Sequence, residues 1–318
     1  MTNLSLCEKN KIAVEEFWEN DVPALKIVGE ELPDVEKTFD CGQCFRFERV
    51  QNSRHKCEYS GVAFGRFVSF ANDGDCLYIY NSTKDDLHSM WIEYLGLSED
   101  YGAIAEDILS RSDSTALKNA VEFGRGIHIL RQESWETLCS FIISQNNNIP
   151  RIKKIIAALC EKAGDPIDTR NMISHGAHGI DYSFPTAAAV ENFGVERLFD
   201  LKTGFRAKYI YDAALKVSSG ELKLYEIFDE KELSVCLEKL CEVKGVGPKV
   251  AACSLLFGFG KYNAFPIDVW IRRAIEKYFP GDFDAERLGA YAGIAQQYLF
   301  YYERYLGGEE IGENKGKN

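Results

Sequence analysis

The spacing of apolar residues changes period once along this chain, near Ser82, and that change constrains the fold more than any other feature. Before it, aromatic and β-branched residues crowd into short runs at 44–50, 56–62, 64–70 and 77–80. Gly, Asn, Asp and Ser separate the runs, and Asn72-Asp73-Gly74 has the composition of a hairpin turn. After it, Leu87, Trp91, Tyr94 and Leu95 recur at helical spacing behind a capping Thr83. The pattern predicts an α+β protein: a small N-terminal antiparallel sheet followed by a mostly helical region.

Further helices are expected from Ser98 and from Ser134, where Trp135, Leu138, Cys139, Ile142 and Ile143 form one apolar stripe. That stripe runs into Gln145-Asn146-Asn147-Asn148, and asparagines favour caps and turns over helix interiors. Segment 164–185 reads as a long mobile connection. Helical patterns then cover 186–199, 206–218, 231–243, 250–259, 268–278 and 285–305. The expected division is a β-rich domain with flanking helices at 1–126, a helical region at 127–306 and a disordered polar tail at 307–318.

The net charge of −12 argues against a generic nucleic-acid binder. Its distribution is uneven. From Lys244 to Arg273 there are five basic residues, Lys244, Lys249, Lys261, Arg272 and Arg273, against Asp268 alone. Arg151, Lys153 and Lys154 form a second basic cluster. No apolar run approaches a membrane span and the first ten residues are polar, so an intracellular protein is expected. The ten cysteines are expected to be reduced thiols. Cys41-Gly42-Gln43-Cys44 has redox spacing in a strand-like setting, which leaves a thiol-redox protein as one alternative. His175 and His178 have metal-compatible spacing but no further ligands nearby, so neither metal nor cofactor is expected.

The stretch with most chemistry is Lys244-Gly245-Val246-Gly247-Pro248-Lys249. The glycines permit unusual backbone conformations and leave amides exposed, and Pro248 suits the first position of a helix. Exposed amides at a helix start attract phosphate. A simple helix–helix turn or a non-catalytic DNA grip would use the same residues. Lys249 lies where the helix field and partial burial disfavour its cation, as a lysine nucleophile requires. Asp268, two residues after Pro266, fits the N-cap of the next helix, from which an ionised carboxylate can stabilise positive charge developing on a sugar.

Together these residues resemble the helix-hairpin-helix DNA glycosylase superfamily, and within it the 8-oxoguanine DNA glycosylases with an N-terminal β domain. The resemblance spans about 39–305. It rests on Cys41-Gly42-Gln43-Cys44-Phe45-Arg46, Leu130-Arg131-Gln132, Asn146-Asn147-Asn148-Ile149-Pro150-Arg151, Gly204-Phe205-Arg206-Ala207-Lys208-Tyr209, the hairpin with Lys249 and Asp268, and Tyr291-Ala292-Gly293-Ile294-Ala295-Gln296. Relatives with an iron–sulfur cluster carry four late cysteines, whereas none follows Cys253 here. Alkyladenine relatives keep the aspartate and lack the lysine.

The resemblance implies two helical lobes around a cleft and a monomer acting on damaged duplex DNA. It implies that Lys249 attacks C1′ of a flipped nucleotide, with Asp268 supporting the charge change, and that a Schiff base leads on to strand nicking by β-elimination. Gly42, Cys253, Pro266, Asp268, Gln296 and Phe300 are implied as the base pocket, with the Gly42 carbonyl accepting the N7–H that distinguishes 8-oxoguanine from guanine. Gly245 and Gly247 are implied at the DNA backbone, Asn146 in the vacated stack, Phe205 as a wedge, and Arg151 and Arg206 as readers of the opposite cytosine. Two positions depart from the pattern: Trp270 replaces a frequent histidine, and Phe205 a usual tyrosine. Another oxidised or ring-opened base remains an alternative substrate.

Overall fold

A computed structural model of the protein describes residues 12–176, 179–279, 281 and 283–313, with the backbone alone for 307–313. Its N-terminal part is one six-stranded antiparallel sheet in the order β1-β2-β6-β5-β4-β3. The strands are β1 (Ala13–Glu19), β2 (Val22–Val28), β3 (Phe47–Arg49), β4 (Cys57–Ala63), β5 (Arg66–Asp73) and β6 (Cys76–Tyr80). The sequence reading anticipated the last four and missed β1 and β2. These two pair in full register from Ala13↔Val28 to Glu19↔Val22 across Asn20-Asp21, both at positive φ. Asn-Asp is a good composition for such a tight hairpin. The acids of β1 obscured the strand, and they suit its place at the sheet edge, where charge discourages further pairing.

The inner face of the sheet packs on aromatic residues. Phe39 stacks on Phe70 at 5.2 Å, and Trp91 and Tyr94 close the layer from the helical stretch 84–94. Thr83 caps that stretch with a reciprocal bond to Asp86. The next helix begins later than expected: Asp100, not Ser98, caps Tyr101–Ser110. That helix and Thr115–Gly124 precede residue 127 in the chain, yet their apolar faces belong to the helical core. Contact is close there, since a Cβ on Gly124 would lie 2.4 Å from the Tyr298 ring.

Helix Ser134–Ser144 is capped at Glu133 with no side-chain bond, and the Ser134 hydroxyl instead donates to the Gly258 carbonyl at 2.8 Å. Segment 164–185 is not the loose connection expected. It forms a two-stranded hairpin, β7 (Pro166–Asp168) with β8 (Ile180–Tyr182), and is tied back to the sheet. Asn81 and Ile173 exchange two bonds, of 3.0 and 2.8 Å, and the buried Glu58 carboxylate accepts hydroxyl bonds from Ser69 and Ser174. His178 lies outside the described residues. The final helix spans Ala292–Glu313. Residues 314–318 lie outside the described residues.

Candidate active site

Helices Leu233–Cys241 and Pro248–Phe259 form the hairpin, with Gly247 at the N-cap and Pro248 in the first turn. The two glycines have different reasons to be there. Gly245 has φ +78, and a Cβ on it would meet the Tyr209 ring at 2.4 Å. Gly247 has ordinary extended backbone (φ −103, ψ 178) and open space around it, so the expected conformational demand is absent. What its missing side chain does is leave the helix start uncovered.

Lys249 and Cys253, one turn apart, face a cavity of about 60 Å³ between this helix, the loop at Gly42 and the C-terminal helix. Cys41, Gly42, Phe141, Phe257, Pro266, Asp268, Gln296, Gln297 and Phe300 complete its walls. The whole implied catalytic and base-pocket set is therefore gathered in one place. Phe141 and Phe257 were not singled out from the sequence, because in strongly apolar helices a wall and a core residue look the same.

The Lys249 ammonium lies 5.5 Å from the centroid of the Phe141 ring, and no ion pair joins it to Asp268 among those of the described residues. Burial pushes the Cys253 thiol up to about 11, against the neighbouring Lys249, which acts to lower it. Asp268 caps helix Val269–Tyr278 as expected, its Oδ1 accepting from the Ile271 N–H at 2.9 Å. That bond fixes the carboxylate and leaves its second oxygen for the cavity. Gln296 is 4% exposed, and its Oε1 is the buried side-chain polar atom left without a partner among the described residues. Gly42 has φ +83, while a Cβ there would meet only ordinary contacts, the nearest Phe300 at 3.6 Å. In the empty cavity its glycine is thus required by backbone conformation and not by space.

Cys41 and Cys44 are poorly placed for thiol exchange. Both are free and buried, and burial raises both thiols, Cys41 to about 12. A thiol held protonated is a poor nucleophile.

The residues assigned to the opposite strand lie elsewhere, around the turn before helix Ile149–Ala163 and the turn before helix Ala207–Ser218. Asn146 is exposed at φ +46, Phe205 is 46% exposed, and exposed Arg151 reaches the Lys202 carbonyl at 3.2 Å. Arg206 is bonded within the protein. It is 3% exposed, and its guanidinium donates to the carbonyls of Gln145 (2.7 Å), Asn146 (2.9 Å) and Thr203 (3.0 Å). Through these bonds it braces the Asn146 turn. Trp270 is half-buried and stacked by Arg273 at 5.2 Å. A larger cleft of about 930 Å³ lies between the sheet and helix Tyr101–Ser110, but Glu30, Glu31, Asp34 and Glu36 line it and would repel DNA. Among the described residues no helix is long and apolar enough to cross a membrane.

A helical hairpin that sets a lysine opposite an N-capping aspartate, beside an antiparallel sheet, defines the helix-hairpin-helix class of base-excision proteins. The family model for the HhH-GPD superfamily of base excision DNA repair proteins matches residues 139–287, and that for the 8-oxoguanine DNA glycosylase N-terminal domain matches 26–138. MBOgg1, solved with a low-affinity DNA ligand, is 40% identical with a TM-score of 0.82, the match covering 93% of this chain and 99% of that one. The 8-oxoguanine glycosylase/lyase of Clostridium acetobutylicum, solved with duplex DNA containing cytosine opposite 8-oxoG, is 37% identical with a TM-score of 0.82, over 93% and 98% of the two chains. The N-glycosylase/DNA lyase of Saccharomyces cerevisiae is 32% identical over 66% of this chain, a match that spans 55% of the yeast protein. The chain belongs to the 8-oxoguanine DNA glycosylase family.

Proposed function

We propose that this protein removes 8-oxoguanine from duplex DNA and then nicks the strand at the resulting abasic site. The observation that carries the reading is the orphaned Gln296 acceptor in the same cavity as Lys249 and Asp268. A buried acceptor without a donor costs about 1–3 kcal/mol, and the N–H groups on a guanine's Watson–Crick edge would satisfy it.

The flipped nucleotide places its base against Gln296 and Phe300, with the Gly42 carbonyl toward N7–H. The lysine amine, once neutral, attacks C1′, and the glycosidic electron pair leaves with the base. Asp268 stabilises the positive charge on the sugar and then on the nitrogen. Loss of a proton from nitrogen and opening of the ring give the Schiff base, and removal of a C2′ proton expels the 3′ phosphate. The helix start at Gly247 and the hairpin amides hold the phosphate backbone. The enzyme works as a monomer in the cell interior, where its DNA is.

Borohydride trapping on duplexes carrying 8-oxoguanine, a ring-opened purine or an oxidised pyrimidine tests this. Wild type should give a covalent adduct fastest on 8-oxoguanine. Lys249→Gln should give none and lose excision by a factor on the order of 10⁴. Gln296→Ala should slow excision roughly 10- to 100-fold. An adduct from Lys249→Gln removes the nucleophile assignment, and faster trapping on a pyrimidine replaces the substrate.

A further inference from the structure

The loop that presents Gly42 is held from both sides. The Asp40 carbonyl accepts from Arg304 at 3.1 Å, the Cys41 carbonyl from Gln297 Nε2 at 2.9 Å, and the Gln43 carbonyl from Gln132 Nε2 at 2.8 Å. The Gln43 side chain is fully engaged: it donates to the carbonyls of Thr38 and His128, both at 2.8 Å, and accepts from the Leu130 N–H at 2.9 Å. Between these fixed points the Gly42 carbonyl accepts no bond from any described residue.

A glycine at positive φ gives its neighbouring peptides freedom to rotate. Left loose, the loop could turn either the Cys41 or the Gly42 oxygen toward a bound base. Gln297 removes that choice. It is 2% exposed, sits on the helix that carries Gln296, and reaches a carbonyl of the fully buried Cys41. We propose that Gln297 is a positioning residue for lesion recognition: it fixes the Cys41–Gly42 peptide so that the Gly42 carbonyl is the one acceptor left for the N7–H. This rests on the reading of Gly42 as the lesion's acceptor. Two adjacent glutamines then have different tasks, Gln296 meeting the base and Gln297 setting the backbone that meets it.

The test compares two activities of the full chain under single turnover: excision of 8-oxoguanine opposite cytosine, and β-elimination at a preformed abasic site. Both need Lys249 and docked DNA, but only the first needs a base to be read. Gln297→Leu should lower excision roughly tenfold, the effect of losing one buried hydrogen bond, and leave β-elimination within about twofold. If thermal melting shows that Gln297→Leu does not fold, Gln297→Met, closer in shape, is judged by the same ratio. An unchanged ratio in a folded variant overturns the proposal. Wild type that excises guanine as fast as 8-oxoguanine would instead overturn the Gly42 reading, whatever Gln297 does.

Discussion

Around the cavity that holds Lys249, side chains hold the backbone and leave acceptors open. Gln43, Gln132 and Gln297 are bonded to backbone, while among the described residues Gln296 Oε1 and the Gly42 carbonyl accept no bond. On the face proposed to meet the opposite strand the order is reversed. The one buried cation, Arg206, is bonded to backbone, and Asn146, Arg151 and Phe205 stand in solvent. A preformed acceptor set suits recognition of one extra N–H on a rigid base, because the protein does not reorganise to read it. An exposed set on a braced turn suits a distorted duplex whose contacts form only on binding. The pocket should therefore be sensitive to changes in its support, and the opposite face to changes in its brace.

The largest expected effect falls on the pocket's support and is read by pH. His128 is buried, stacked on Tyr101 at 3.8 Å and bonded through its carbonyl to Gln43, and burial lowers its imidazole to about 4. The unfolded chain binds a proton near 6.5 and the folded chain near 4, so its contribution is complete above pH 6.5 and lost as pH falls toward 4. The shift corresponds to about 3 kcal/mol. Glu136 has the opposite sign. Burial raises its carboxyl to about 7 despite Arg46 at 3.3 Å, so its contribution is lost as pH rises from 4.5 to 7. The two slopes oppose each other in wild type. Denaturant unfolding of Glu136→Gln should show stability climbing with pH across this window, and His128→Gln should show it declining. Parallel profiles for the two variants would mean that neither group titrates as its burial requires.

The brace comes next. Arg206→Met strands three carbonyl partners and should cost about 2 kcal/mol in unfolding free energy. The more telling measurement is excision of 8-oxoguanine opposite each of the four bases. A brace predicts the same fractional loss with all four, because the Asn146 turn is loosened regardless of what it faces. A loss confined to cytosine would return Arg206 to direct readout and break the contrast drawn above.

The two regions were unequally legible in the sequence. Lys249 and Asp268 sit at helix starts whose signals are local, and the family resemblance supplied the rest of the pocket, Gly42, Gln296 and Phe300 included. Strand β1 was hidden because an edge strand's acids look like solvated loop, and β2 because Pro23 and Lys26 interrupt its apolar run. The bonding of Arg206 was invisible for another reason. An arginine beside an exposed aromatic has the same one-dimensional pattern whether its donors face DNA or a carbonyl sixty residues earlier in the chain. Gln297 and Cys41 are farther apart still, and no spacing rule joins them. Local chemistry was readable, and the long-range bonds that orient it were not.

The smallest effect belongs to Phe205, and it tests whether the exposed face contributes only on binding. Its ring is half in solvent, meets Tyr209 edge-on at 5.9 Å and carries the Arg206 guanidinium 4.5 Å above it. Removing it should change folding stability by no more than about 1 kcal/mol, the scale of one cation–π contact. A wedge that buckles the duplex acts only in the complex, so Phe205→Ala should weaken binding to damaged duplex several-fold with little change in melting. Phe205→Tyr, which keeps the ring and adds a hydroxyl at an exposed rim, should bind at least as well as wild type. If Phe205→Ala instead lost as much stability as Arg206→Met, the ring would be part of the brace, and this face would be built into the fold in the same way as the pocket.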